Sequence, residues 1–473
     1  MFTLRSQPWQ FALRSRKLPI RQPFENIVSA RNVLINIDLT INLSYGGGWD
    51  GPLDRIGRRV LGEARYLSAR QAAEELGVSV ATLYAYVSRG MVRSEEAEGK
   101  RRNRRYRAED VRRLRERKER RRDPDVVVEG ALHWGTPVME SGITLIDDGR
   151  LYYRGRDVAD LAAHSTVEEV AALMWTGDEA RASGLFSAEP QGLSPRIREV
   201  MACVAWLPPL EAFQVLLPLA AAEDPAAYDL RPAAVARTGA RILRLMTQVA
   251  AGLPPLRIAE TLGRGWCPRD AGAAALIGPA LVYCADHELP VSTFAARCVA
   301  SSEATPYAVV QAGLAALGGV KHGGEVELVE AFLREVGAGG DARGAISGRL
   351  RRGERIPGFG HSLYPDGDPR AAGLLRMTAE AYPESPAVAL SDAVAGEAWG
   401  LMGERPTVDL ALVTVARTLN LPPGGGTALF ALGRTIGWIV HAVEQYENGS
   451  LIRPRARYVG EQPARGGTRP EAL

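Results

Sequence analysis

Residues 165–460 show the apolar periodicity of α-helices, interrupted repeatedly by proline and glycine, with little β-rich sequence between. Helices with an apolar stripe must bury it against other elements, so this region predicts a nearly all-α domain. The chain has 473 residues, which is too long for one ordinary core and indicates about two to four domains.

The composition is typical of a globular protein, with 46% apolar and 24% charged residues. No apolar run is long enough to span a membrane, and the N-terminus lacks the pattern of a signal peptide. The four cysteines (Cys203, Cys267, Cys284 and Cys298) have neither CxxC spacing nor a metal-binding framework. We therefore expect reduced, buried thiols, no metal site and a cytoplasmic location.

The net charge of +3 conceals a strong asymmetry along the chain. Lys100–Arg122 contains fourteen Lys and Arg against four Asp and Glu, a net of +10, whereas residues 123–473 carry a net of −10. A basic segment of this density favours a polyanionic partner for the N-terminal part of the chain and not for the rest.

Two short helices are predicted just before the basic segment. Ser68 and Gln71 have the spacing of a capping box, and Gly77 ends the first helix after an apolar face of Ala72, Ala73 and Leu76. Ser79 can cap a second helix that carries Leu83 and Val87 and ends at Gly90. Two helices joined by such a turn indicate a helix-turn-helix unit.

The segment SARQAAEELGVSVATLYAYVSRGMV resembles the MerR and excisionase-like DNA-binding modules. That resemblance implies a basic wing followed by a helix with Tyr106, Asp110, Val111 and Leu114. It implies these DNA-binding positions: Ser79, Thr82, Tyr84, Ala85 and Tyr86 on or near the recognition helix, Arg89 just after it, and Arg101, Arg102, Arg104 and Arg105 in the wing. Many cations along one edge suit the phosphates of double-stranded DNA. A solvated charged helix or a basic linker is the alternative for 115–122.

These patterns divide the chain. Residues 1–64 have a weak strand pattern at 34–43 and are predicted to be either a disordered extension or the product of a mis-assigned start. Residues 65–122 are predicted to form the winged module. Asp123-Pro124-Asp125 opens a linker at 123–129, a helical region covers 130–460, and 461–473 are a flexible tail. Asp148-Gly149 predicts a hairpin, and Ser165 to Glu168 a capping box for a helix that Gly177 ends.

The stretch 318–370 contains two of the six histidines, His322 in KHGG and His361 in GFGH. Glycines beside a polar side chain allow a positive φ or a close backbone approach, so both histidines are predicted at tight turns that present them to a ligand. Two solvated loop histidines are the alternative for this stretch taken alone.

Five segments in order resemble the citrate synthase family: DHELPVSTFAAR, VKHGGEVE, GFGHSLYPDGDPRA, RPTVDLAL and GRTIGWIVHAVEQYENGSLIRPRARYVG. The resemblance runs from about Gly130 to Gly460. It implies a two-domain, all-α fold with a large and a small helical domain, the small one at roughly 325–420, preceded by the winged module. It also implies a homodimer.

The resemblance assigns a role to each of seven residues. Asp409 would take the α-proton of an acyl-CoA, His322 would donate to the thioester oxygen, and His361 would donate to the ketone of oxaloacetate. The substrate ligands would be His287, Arg370, Arg434 and, reaching across a dimer, Arg453. Such chemistry needs one base and two hydrogen-bond donors, and arginine suits a dicarboxylate. It implies no cofactor beyond coenzyme A thioester as a substrate.

Three positions depart from the pattern common in bacterial members. Ser362 and Pro365 stand where an arginine and a lysine are common, and such cations could meet the phosphates of CoA. Pro290 stands where an asparagine is common. These changes put the binding of CoA and the shape of the 2-oxo acid pocket in question.

Two functions follow. One is a citrate or 2-methylcitrate synthase that condenses acetyl- or propionyl-CoA with oxaloacetate and is fused to a DNA-binding module. The other is a transcriptional regulator that senses a metabolite in the retained pocket. The intact Asp409, His322 and His361 favour the first; the winged module and the altered CoA-side residues favour the second.

Overall fold

The computed structural model describes residues 66–88, 92–96, 104–107, 110–111, 114, 139–186, 193–456 and 458–461. The chain divides into two units, Met1–Gly130 and Ala131–Leu473. The predicted extension at 1–64, the strand at 34–43, the linker at 123–129 and the tail after Glu461 lie outside the described residues. The predicted domain boundaries, including the small domain at 325–420, stay predictions.

The helix-turn-helix forms as the sequence predicts. Helix α1 (Ala69–Glu75) begins at the capping box, where the Gln71 N–H donates to Ser68 Oγ at 3.3 Å and the Ser68 N–H donates to Gln71 Oε1 at 3.0 Å. Gly77 follows with a φ of +59°. Helix α2 (Val80–Ser88) begins after Ser79, whose Oγ accepts the N–H of Thr82 at 3.2 Å.

A three-stranded antiparallel sheet completes this unit. Its strands β1 (Tyr66–Ser68), β2 (Ser94–Glu96) and β3 (Arg104–Arg107) lie in the order β1-β3-β2. Pairing of β2 with β3 is the strand pair expected of a wing. The unit has its own small core, made of Ala72, Ala73, Leu76, Leu83, Val92, Tyr106 and Val111.

The second unit begins with a small antiparallel sheet of β4 (Thr144–Asp147), β5 (Arg150–Tyr153) and β6 (Arg156–Asp157). The β4–β5 turn is the predicted hairpin, with Asp148 and Gly149 both at positive φ. The remaining helices of the described residues are α3 (Val158–His164), α4 (Val167–Thr176), α5 (Ala182–Phe186), α6 (Pro195–Cys203), α7 (Pro209–Glu223), α8 (Pro232–Ala251), α9 (Ile258–Trp266), α10 (Ala273–Cys284), α11 (Val291–Ala300), α12 (Pro306–Leu317), α13 (Glu325–Gly339), α14 (Ala342–Arg351), α15 (Pro369–Ala381), α16 (Pro386–Met402), α17 (Val408–Thr418) and α18 (Gly425–Asn448).

Two local predictions need correction. The capping box of α4 is formed by Thr166 and Glu169, one residue later than predicted, because Ser165 ends α3 and leaves Thr166 as the first residue able to cap. The four cysteines carry free thiols, but Cys203, at the last turn of α6, is exposed and Cys298 is half-buried; Cys267 and Cys284 are buried as predicted.

Helix α18 lies at the centre of the second unit and packs against α8, α10, α11 and α12. Within the described chain it is the one helix long and apolar enough to cross a bilayer, and its apolar window is entirely buried by other helices, as in the core helix of a globular protein. Gly433 permits close contact with α10, because an added Cβ would lie 2.5 Å from the Leu281 carbonyl oxygen. That contact brings Arg434 to the end of α10.

Candidate active site

The predicted catalytic and ligand residues lie near helix ends, in the segments between helices and, for Arg434, within a helix. His287 follows α10, His322 lies between α12 and α13, His361 lies in the loop before α15, and Asp409 lies in the first turn of α17. Arg370 begins α15 and Arg434 lies within α18. Helix ends present side chains on a rigid scaffold, which holds a reactive geometry more precisely than loops alone.

Asp409 has the environment of a general base. Its Oδ2 accepts a hydrogen bond from Thr407 Oγ1 at 2.9 Å. Burial raises the pKa of Asp409 to about 6; the Thr407 hydroxyl and the Arg370 guanidinium oppose that rise, and the negative charge of Glu325 adds to it. A carboxylate with a pKa near 6 is mostly ionised at neutral pH yet more basic than an ordinary aspartate.

His361 is held by a turn that glycine makes possible. Gly358 and Gly360 have φ values of +84° and +78°, as the sequence predicts for this loop. The Gly360 N–H donates to the Arg405 carbonyl at 3.0 Å and the Thr407 N–H donates to the Gly358 carbonyl at 2.9 Å. The loop of His361 is thereby fixed to the segment that leads to Asp409.

The neutral tautomer of His361 is set by one backbone contact. The Leu363 N–H donates to Nδ1 of His361 at 3.2 Å, so Nδ1 carries no proton and Nε2 is the N–H donor. Burial, followed by the charge of Arg370, lowers the pKa of His361 to about 4, which keeps the ring neutral at physiological pH. The ring therefore offers a neutral hydrogen-bond donor through Nε2.

His322 lies in a turn whose glycines serve close packing instead of positive φ. An added Cβ at Gly323 would lie 2.6 Å from the Leu317 carbonyl oxygen. Nε2 of His322 lies 2.7 Å from the hydroxyl of Ser292, a buried residue on α11. Burial, followed by the charge of Arg434, lowers the pKa of His322 to about 4.

His287 and Tyr364 form a contact that the sequence did not predict. Nε2 of His287 lies 2.8 Å from the Tyr364 hydroxyl, and both side chains are buried. The Tyr364 ring also lies 4.9 Å from the ring of His361 and 5.7 Å from the guanidinium carbon of Arg370, centroid distances typical of packed aromatic groups. An aromatic residue three positions after His361 was the only available sign of this role.

His287 is buried and lies close enough to two buried arginines for their charges to affect its pKa. Its pKa is lowered well below the usual value by burial and then by the charges of Arg370 and Arg434. The ring of His287 also lies 5.2 Å from the ring of His361, centroid to centroid, so these two histidines lie in one site.

The two buried arginines of the site, Arg370 and Arg434, differ in their hydrogen bonds. Arg370 is buried and donates from Nε and Nη2 to Asp368 at 2.9 and 2.8 Å, and Asp368 also accepts the Val408 N–H at 3.0 Å. Burial by itself would raise the pKa of Asp368, but the charge of the Arg370 guanidinium outweighs it and holds that pKa below its usual value. Arg434 donates from Nε to the Cys284 carbonyl at 2.8 Å, and its buried Nη2 has no hydrogen-bond partner within the described structure. A buried unpaired donor is costly, so Nη2 is positioned to bind an anionic ligand.

Arg453 is exposed, and no contact of the described residues joins it to the other groups. Its predicted action in a partner's site is not tested by a single chain. On the N-terminal unit, Tyr84 on α2 is 53% exposed, Ser79, Arg104 and Arg105 are exposed, and Thr82, Ala85 and Tyr86 are half-buried. The predicted DNA-binding residues Arg89, Arg101 and Arg102 lie outside the described residues.

A buried polar network lies beneath the site. Asp286 Oδ2 accepts from Thr144 Oγ1 at 2.5 Å and from His441 Nε2 at 3.3 Å, and Nδ1 of His441 lies 3.3 Å from Nη1 of Arg297. Arg297 also pairs with Glu444 at 2.5 Å. His441 thus connects two buried charges, those of Asp286 and Arg297.

A helical scaffold that gathers one perturbed carboxylate, neutral histidines and buried arginines has the components of an acid–base enzyme for an anionic substrate. The chain belongs to the citrate synthase family, because the family profile described as citrate synthase, C-terminal domain, matches residues 131–455. The profile described as MerR HTH family regulatory protein matches residues 67–121. Both families are those that the sequence motifs resemble.

Individual relatives agree with this assignment. A putative citrate synthase 2 of Mycobacterium tuberculosis is 35% identical over 343 residues, which cover 67% of this chain and 88% of the relative. A 2-methylcitrate synthase of the same species is 31% identical over 338 residues, covering 66% and 85%. The crystal structure of citrate synthase from Pyrobaculum aerophilum superposes with a TM-score of 0.62 at 26% identity, covering 72% of this chain and 94% of that one. The mainly α, citrate synthase-like fold is thereby confirmed.

Proposed function

We propose that this chain condenses an acyl-CoA with oxaloacetate and releases CoA. The observation that carries the proposal is Asp409, a carboxylate with a pKa of about 6 in one site with the neutral rings of His322 and His361. One base and two neutral donors are the groups that enolate formation and ketone polarisation require.

In the proposed reaction Asp409 removes a proton from the carbon next to the thioester carbonyl. With the Ser292 hydroxyl taken as the donor to Nε2 of His322, 2.7 Å away, the ring proton lies on Nδ1 and stabilises the enolate oxygen. The enolate carbon attacks the ketone carbon of oxaloacetate, and Nε2–H of His361 donates to the ketone oxygen as it becomes a hydroxyl. Water then hydrolyses the thioester and releases free CoA.

The proposed oxaloacetate site includes one buried donor that the described structure leaves unpaired. Nη2 of Arg434 would bind one carboxylate, while Arg370 and His287 would contact the rest of the molecule. We also propose a homodimer in which Arg453 of one chain reaches the partner's site, since this arginine is exposed in the single chain.

The proposal also concerns which acyl group the acyl-CoA carries. The relatives include both citrate synthases and a 2-methylcitrate synthase, so acetyl-CoA and propionyl-CoA are the two candidates. The test is to measure free thiol released by the purified full chain with oxaloacetate and each acyl-CoA, using Asp409→Asn as the inactive control. Thiol release that needs oxaloacetate and Asp409 supports an enzyme. Its absence with both acyl-CoAs, together with measurable oxaloacetate binding, would contradict it.

The N-terminal unit supports an additional function in DNA binding. The MerR profile match and the exposed side chains of Tyr84, Arg104 and Arg105 are the observations that favour it. A dimer would present two modules, which suits a palindromic site. The experiment is to titrate a fluorescent palindromic fragment at fixed salt, with and without saturating oxaloacetate. A change in affinity would show a metabolite-responsive regulator; no salt-dependent binding to any DNA would remove this function.

A further inference from the structure

An exposed tryptophan carries a stacked arginine beside the loop of His361. Trp399, on α16, is 50% exposed, and the guanidinium carbon of Arg405 lies 4.0 Å from its ring centroid. Three other arginine–aromatic pairs involve the buried rings of Phe332, Tyr364 and Phe430. Trp399 therefore combines a half-exposed indole with a cation stacked on its ring.

The pair is attached directly to the reaction site. The Arg405 carbonyl accepts the Gly360 N–H at 3.0 Å, next to His361. The side chain of Arg405 runs beside Gly367, where an added Cβ would lie 3.4 Å from Cγ of Arg405. Asp409, the proposed base, follows four residues later. A ligand held by Trp399 and Arg405 would thus lie at the rim formed by the loop 358–368 and the segment 403–408.

Arg405 forms no ion pair with any carboxylate among the residues that the structure describes. The neighbouring Arg349 and Arg352, by contrast, pair with Glu354, and Arg355 pairs with Glu325. Glu404, the adjacent carboxylate, lies against Gly360 instead. A guanidinium without a carboxylate is available for an anion such as a phosphate.

A half-exposed indole with an unpaired guanidinium stacked on its ring suits a ligand that has a flat base and a phosphate close together. We propose that Trp399 and Arg405 bind the adenine nucleotide end of the acyl-CoA, with the base on the exposed part of the indole and a phosphate at the guanidinium. This inference rests on the proposed function for its substrate. It also supplies a cation to a chain that has serine at 362 and proline at 365, where family members commonly have cations.

The decisive experiment compares a full acyl-CoA with a short thioester, S-acetyl-N-acetylcysteamine, that lacks the nucleotide. Because stacking of a base on an aromatic side chain is a substantial contribution, Trp399→Ala should reduce the preference for the full acyl-CoA roughly tenfold or more. Arg405→Ala should reduce it similarly, and Trp399→Phe should restore part of it. The change should appear in KM for acyl-CoA and not in kcat.

Matched controls separate this site from general surface effects. Trp206→Ala removes a tryptophan that is 79% exposed in another loop, and Arg351→Ala removes an exposed arginine of α14. Neither should alter the preference. If both Trp399→Ala and Arg405→Ala keep the preference of the unmodified chain, the inference is wrong even though the enzyme is active.

A binding measurement keeps the inference separate from catalysis. Adenosine 3′,5′-bisphosphate, the nucleotide fragment of CoA, should bind the unmodified chain in calorimetry and lose roughly tenfold in affinity in each variant. Should thiol release fail while this binding depends on Trp399 and Arg405, the nucleotide site stands and the proposed reaction is overturned. Binding that is absent, or equal in all variants, contradicts the site.

Discussion

Replacing Thr407 with valine should move the acid limb of the pH–rate profile to higher pH. The Thr407 hydroxyl donates to Asp409 at 2.9 Å and stabilises the ionised carboxylate, whose pKa is raised to about 6 mainly by burial. A hydrogen bond to a charged group contributes about 1.5–3 kcal/mol, and about 1.4 kcal/mol corresponds to one pKa unit. Valine has nearly the same shape, so the loss should be electrostatic.

The expected shift is therefore about one unit, at the lower end of the range because Asp409 is only half-buried. At about pH 6 the ionised fraction of Asp409 would fall from about a half to about a tenth, and the rate with it. The plateau at higher pH should change little, because the base is still present.

The assay is kcat/KM for the acyl-CoA, measured by thiol release across the acid range, since this quantity reports the pKa of the free enzyme. Thr407→Ser is the matched control, because it keeps the hydroxyl and should keep the limb near its original position. An unchanged limb in Thr407→Val, or an equal shift in Thr407→Ser, would show that this hydroxyl does not set the pKa of Asp409.

Three further changes give distinct outcomes. Glu325→Gln keeps the acceptor for the Gly358 N–H but removes the negative charge that adds to the rise in the pKa of Asp409. The acid limb of the pH–rate profile should therefore move to lower pH, opposite to the shift in Thr407→Val. The same pH series checks this shift. Asp409→Asn should lower the rate of thiol release by ~10²–10⁴ while calorimetry shows nearly unchanged oxaloacetate binding, and near-normal turnover would exclude Asp409 as the base. Tyr364→Phe removes the hydroxyl that contacts His287 at 2.8 Å. KM for oxaloacetate should rise roughly tenfold, as expected for one lost buried hydrogen bond, while KM for acyl-CoA stays unchanged. Equal changes in both KM values would indicate a general loss of structure.

The sequence alone determined the features that depend on neighbouring residues. The capping box of Ser68 and Gln71, the hairpin at Asp148-Gly149 and the positive φ of Gly358 and Gly360 follow from local rules of hydrogen bonding and backbone sterics. The helical periodicity gave the fold class, since a helix must bury its apolar stripe. The motif resemblance gave the family and the candidate residues.

The tertiary structure decided which distant groups meet and what charge they carry. Tyr364 against His287, Arg405 against Trp399 and Glu325 near Asp409 are contacts that no local rule specifies. The pKa of Asp409 and of the histidines depends on burial and on charges from several helices, and burial exists only after those helices pack. Electrostatic and stacking interactions act through space, so they are set by the folded arrangement and not by the spacing of residues along the chain.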